Sequence, residues 1–464
     1  MNRSILRSSV GTALALALAF GCGTAVHPPH TTTTNGTTGG NCTLPSTIST
    51  NLTLDGSCNP WRVTSGGTLV EGAAIPVLTI DPGVTVAFDQ GATLGVGVNG
   101  PGGLHAVGTP SAHITFTSSA ALPKAGDWAA VELFDNTLQS SEVGYADFDF
   151  GAGGWNSANG YAGPQGALIT DSSTTPFQVL LHDLTFSHNG GNGLVMNGFG
   201  VGFAKGSGQL AVNDWASGSA PFVVTANEAG TLPSSLTAPP QSNGSPAVVD
   251  LIDGDASPGS GGGAWVMQTQ TWPSLSLPYL LDGQTQGTGS QGVQSGINIE
   301  GNGSSVATLT IAGPNTLELR DWGSIEVDPQ STGQGNLVVS SGVTFTSLLA
   351  PKQAAAGSWS GIHFHVTSAG LAGSSLTGVT VEGAGGNWTI GSASLSGSIF
   401  LDGPVTVPTS QAIGPSITGS SILAYPSGDC GIIAGGISQA SLSSYTAASS
   451  ANTFGDPSNT VCGD

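Results

Sequence analysis

Basic residues are nearly missing from this sequence. Seven Lys and Arg stand among 464 residues, against 28 Asp and Glu. Arg3 and Arg7 fall in the first 21 residues, so the remainder carries 5 basic against 28 acidic residues, a net charge of −23. Five cations cannot line a groove that tracks a phosphate backbone, and so acidic a chain repels polyanions. Nucleic acid is excluded as a partner. Charge of either sign is scarce, at 8%, and the Ala/Glu/Lys/Leu runs that build helices are absent, so little helix is expected. No apolar run reaches bilayer length; the longest, Val10 to Phe20, is too short to span. A Walker loop, a dinucleotide fingerprint opening a helix, a CxxC pair and a Ser-His-Asp set are also missing.

What is there is glycine, 73 residues of it, with Val, Ile, Thr and Ser in short alternating pieces. The start, MNRSILRSSVGTALALALAFGC, has a basic opening and an apolar run ending at Gly21-Cys22, the form of a secretory leader over residues 1–21. The Cys directly after that run resembles a bacterial lipobox, with Ala19 where Leu is usual and Leu18 one place back. The resemblance implies lipidation of Cys22, so a lipid anchor on a membrane without a spanning helix. Gly23, where an inner-membrane retention signal carries Asp, implies the outer membrane or cell surface of a Gram-negative envelope, with secretion as the alternative. Residues 22–40 are rich in Thr, Gly and Pro and read as a flexible linker. Setting Cys22 aside leaves four of the five cysteines. Three pairings are open, and proximity favours Cys42–Cys58 and Cys430–Cys462, in an oxidising compartment.

From Val77 onward, strand-sized pieces such as VLTI, VTVAF and ITFTS are separated by turn residues such as DPG and DQG. The series then returns in order. LVEG at 69–72 matches NIEG at 298–301, LTIDPGVTVAF at 78–88 matches LTIAGPNTLEL at 309–319, and ITFTSSA at 114–120 matches VTFTSLL at 343–349. AGDWAAVELF at 125–134 answers AGSWSGIHFH at 356–365, and ADFDFGAGG at 146–154 answers VTVEGAGG at 379–386. Ordered repetition on this scale marks a stacked architecture. The Gly/Ser-rich stretch at 256–264 divides a first copy, residues 41–263, from a second, 264–464.

On these motifs the chain resembles bacterial secreted lipoproteins with right-handed parallel β-helix repeats. The resemblance implies an all-β solenoid of two tandem copies with disulfide-bearing caps, and it implies little about activity. Physics is consistent with it: coils stack ~4.8 Å apart, with apolar ladders inside and glycine at corners.

Alternation places Ala129, Val131 and Leu133 inward and Trp128, Ala130, Glu132 and Phe134 outward. It likewise places Ile362 and Phe364 inward and Trp359, His363 and His365 outward. On the strand at 146–150, Ala146, Phe148 and Phe150 are expected inside, with Asp147 and Asp149 outside. Val379 and Val381 are expected inside, with Glu382 outside. Three chemistries follow. Glu132, Asp147 and Asp149 are expected on neighbouring coils, and carboxylates two apart on one strand face, as Asp147 and Asp149 are, have the spacing of a glycoside hydrolase acid pair. His363, His365 and Glu382 offer a facial metal triad. Asp250, Asp253 and Asp255 offer oxygen ligands, making calcium the one cofactor considered. Trp128 and Trp359 are candidates for stacking on glycans. The leading expectation is a non-enzymatic, lipid-anchored envelope scaffold contacting polysaccharide or another surface protein. A carbohydrate-active enzyme and a metal- or calcium-dependent binding module are the alternatives.

Overall fold

The computed structural model describes residues 42–463, apart from 155–162, 199, 243, 245, 254–262, 282–295, 321–322, 330–333, 349–356, 366–372, 391–392, 403–413 and 436–438. The chain divides into two units, Met1–Asn41 and Cys42–Asp464, and all described strands belong to the second. Cys22 therefore lies outside the described residues.

Strands make up 49% of the structure and helix 4%, so the fold is all-β. Its pairing is that of a parallel solenoid. The longest sheet has 14 strands, each hydrogen-bonded in parallel to its counterpart one circuit later in the chain. Leu94 pairs with Val131, Val131 with Leu168 and Leu168 with Leu194, and the same row continues through Leu317 and Phe345 to Phe454. Along this row from Leu94, the advance per circuit ranges from 26 residues (Leu168 to Leu194) to 41 (Val381 to Ile422).

The row faces inward because every second residue on these strands is apolar, and Leu94, Val131, Leu168, Leu317 and Phe345 are fully buried. Up to Thr237 the circuits close through an 11-stranded sheet; from Ala264 they close through sheets of 8 and 5 strands. In the second half, Ala264–Val266, Gln270–Trp272 and Tyr279–Leu281 each add to a different sheet. Gly296–Ile299, Val306–Ile311 and Asn315–Leu319 then repeat the order. The long sheet runs unbroken across the 256–264 stretch, since Val249 pairs with Tyr279.

Aromatics stack from circuit to circuit inside the first half. Phe116 lies 4.7 Å from Phe148, and Phe148 lies 4.9 Å from Phe186. The disulfides Cys42–Cys58 and Cys430–Cys462 form as expected, with Cα separations of 5.5 and 6.0 Å, and tie the two ends of the body.

One corner is built twice. Trp128 donates its indole N–H to the carbonyl of Asp149 at 2.8 Å, and Trp359 donates to the carbonyl of Glu382 at 2.8 Å. The carbonyl of Trp128 accepts from Gly153 and that of Trp359 from Gly385. Gly151 is required in the first copy, because a Cβ there would lie 2.7 Å from the Trp128 ring.

Candidate metal cluster and separated carboxylates

The strand Gly361–His365 turns Ile362 and Phe364 into the core, so His363 and His365 share its outer face. Its parallel neighbour one circuit earlier is Ser324–Val327, in register Ile325 to Ile362 and Glu326 to His363. That register sets the Glu326 carboxylate directly beside the two imidazoles. Glu326 Oε2 lies 2.9 Å from His363 Nδ1 and 2.6 Å from His365 Nε2. The two rings are 3.5 Å apart between centroids. Glu326 and His363 are 5% and 6% exposed, and His365 is half-buried. On the following strand Phe400, in register with His363, meets it edge-on at 4.7 Å. Burial opposes ionisation of Glu326, but hydrogen bonds and charge from His363 and His365 outweigh it and hold the carboxyl down at about 2. Its second oxygen, Oε1, has no hydrogen-bond partner. Among the described residues this is the group whose Cys, His and acidic ligand atoms converge, all within 4.8 Å of one another.

Glu382 is not part of it. It lies on Thr380–Glu382 in the 14-stranded sheet, whereas the histidines lie in the 8-stranded one. The expected triad took its carboxylate from Glu382, on the following strand and placed one turn away. Hydrogen bonding instead pairs them with the same strand of the neighbouring circuit.

The three acids of the first copy are also separated. Glu132 lies on Ala130–Leu133 in the 14-stranded sheet, and Asp147 and Asp149 lie on Glu142–Asp149 in the 11-stranded one. Glu132 does face away from the main core, but that face is covered, and the residue is 3% exposed. Burial, then the nearby Asp171 charge, push its carboxyl up to about 8. Asp147 sits 3.2 Å from His113, and Asp149 sits 3.6 Å from His188. Burial raises the Asp149 carboxyl from its ordinary value.

Trp128 and Trp359 are fully buried and offer no face to a glycan. Each precedes the first strand residue by two, so strand alternation does not govern it. The ring swings into the core, where Trp128 stacks on Phe88 at 4.4 Å. Phe150 departs in the opposite sense. Expected inside, it follows the last residue of its strand with φ of 65° and stacks on His188 at 5.0 Å, half-buried. Asp250 is buried on Val249–Ile252, Asp253 follows that strand, and Asp255 lies outside the described residues.

No protein-family model, curated protein or solved structure matches the chain.

Proposed function

We propose that this protein is a right-handed parallel β-helix of two tandem copies, lipid-anchored at Cys22 in a bacterial envelope. Its body is a rigid, non-catalytic surface for neutral polysaccharide. The observation that carries this reading is the outer face of the 11-stranded sheet. Thr85, Thr115, Asp147 and Thr185 follow one another in register on successive circuits, all half-exposed, and the row extends to Ala211 and Thr237. Parallel pairing spaces their side chains ~4.8 Å apart, so the row offers evenly repeated hydroxyl and carboxylate groups to sugar hydroxyls.

Half-buried Tyr145 lies on the strand that carries Asp147, and half-buried Phe150 directly follows that strand. Tyr145 packs near His113 and His182. Aromatic rings next to hydroxyl-bonding groups suit the mixed apolar and polar surface of a sugar. The acidic charge of the chain favours a neutral polymer over an anionic one. The alternative hydrolase reading is narrowed to Asp147 and Asp149, which stay two apart on one strand while Glu132 lies on another sheet.

Full-length protein should co-sediment with insoluble neutral polysaccharides, bind pectate less, and release no soluble sugar. Replacing Thr115 and Thr185 with Asn and Tyr145 with Ala should weaken that retention. A protein left in the supernatant by every neutral polymer tried, or one that releases product, would defeat the proposal. The anchor has its own test: Cys22→Ser should abolish fatty-acid labelling and move the protein out of the membrane fraction.

A further inference from the structure

The geometry points to a second, independent site: Glu326, His363 and His365 bind a divalent transition ion of the zinc class on the outer face of the 8-stranded sheet. Two imidazole nitrogens and one carboxylate oxygen form a ligand set of borderline softness. It suits Zn, Cu or Ni and does not suit calcium or magnesium, which take oxygen cages.

All three ligands stand on strands, not loops. His363 and His365 are two apart on Gly361–His365, and Glu326 is fixed opposite His363 by a ladder that continues for a full strand length on either side. The cluster is therefore preformed. Zinc ligands at about 2.0–2.1 Å from the ion stand roughly 3.3 Å apart. The contacts of 2.9 and 2.6 Å from Glu326 Oε2 need to open by less than an ångström to admit an ion. Small rotations of the side chains supply that without moving the backbone.

A hydrogen-bonded triad with no metal is the competing account of the same contacts. Two features weigh against it. One ligand atom from each of the three residues lies within 4.8 Å of the others, and both imidazoles turn a nitrogen to the same carboxylate oxygen, the convergence a single ion requires. Glu326 Oε1 is buried and without a partner, a cost that a shared cation beside the carboxylate offsets. Phe400 closes one side, and the half-exposure of His365 leaves a path for the ion. Three protein ligands leave a fourth position on zinc for water or an external ligand.

The test uses full-length protein in detergent, stripped with a chelator and titrated calorimetrically with zinc chloride, with calcium chloride as control. The expected result is saturable binding of one zinc per chain and no calcium response. Glu326→Gln and His365→Ala should weaken zinc binding by at least about tenfold, while replacing His27 and His30 of the linker together should leave it unchanged. Zinc-edge X-ray absorption on the loaded wild-type protein needs no variant and should show imidazole scattering. No zinc uptake by the wild type, uptake undiminished in both variants, loss with the linker pair, or a spectrum without imidazole would each overturn the assignment.

Discussion

Glu132→Gln is expected to stabilise the protein at neutral and alkaline pH and to flatten the dependence of its stability on pH. Glu132 pairs in register with Gly95 on one side and Ile169 on the other. Its face of the sheet holds a second apolar cluster that includes Ala130, Ile169, Val195 and Val223. Among the described residues no cation answers a carboxylate there, and Asp171 on the next strand adds like charge. Its carboxyl stands at about 8 in the folded chain against an ordinary 4.5.

The sign follows directly. Below pH ~4.5 both states hold the proton and nothing is lost. As pH rises from there towards 8, the unfolded chain releases the proton and the folded chain keeps it, so stability falls. Above 8 the loss is complete and constant. At about 1.4 kcal/mol per pH unit the loss is of order 5 kcal/mol. Glutamine keeps the shape and removes the ionisation. Asp171, raised to about 6, and Glu318, raised to about 7, act in the same direction and leave a smaller residual slope. Urea midpoints at pH 5, 7 and 8.5 measure the difference. Parallel pH profiles for the two proteins would show that Glu132 is ionised in the fold.

Trp128→Ala and Trp359→Ala should each cost about 3–5 kcal/mol, the range for emptying an aromatic site in a packed core. Trp128 should be the costlier, because its ring also stacks on Phe88 at 4.4 Å. Phenylalanine at either position keeps much of the apolar volume but removes the indole donor. The carbonyls of Asp149 and Glu382 then lose a hydrogen bond, at about 1–3 kcal/mol. Denaturant unfolding of the four variants checks this. A Trp359→Ala protein within ~1 kcal/mol of the wild type would mean that the second corner does not carry the load of the first.

Alternation made much of this fold legible in the sequence. Val131, Leu133, Ala146, Phe148, Ile362, Phe364, Val379 and Val381 all lie in the main core, because each sits within or beside a regular strand on its inward-facing alternate positions. Proximity alone was enough for the cysteine pairs. A strand pattern says which side of the strand a residue takes, not what lies over that side. Glu132 and His363 do face away from the core, yet both are buried.

At strand ends even the side is lost, as at Trp128, Trp359 and Phe150. Partner choice was the other gap. In a solenoid the nearest chemistry to a residue lies one circuit away, 37 positions back for His363, not in the adjacent strand of its own circuit. The signal for Glu326 was present. SIEV at 324–327 and GIHF at 361–364 share an Ile followed two places on by an apolar residue, and laying those pairs over one another puts Glu326 on His363.

The uneven circuit length has a consequence for how such a chain can change. The row from Leu94 to Phe454 holds its register although its circuits range in length from 26 to 41 residues. In the 41-residue circuit part of the surplus forms Gly386–Ile390, an extra strand paired antiparallel with Ala393–Asp402 and outside the long parallel row. Insertions there are tolerated at the slowly rising cost of a longer loop. The body is therefore a natural host for grafted segments. New binding loops can be evolved or engineered between circuits while the interior rows stay fixed, each addition remaining local to the circuit that bears it.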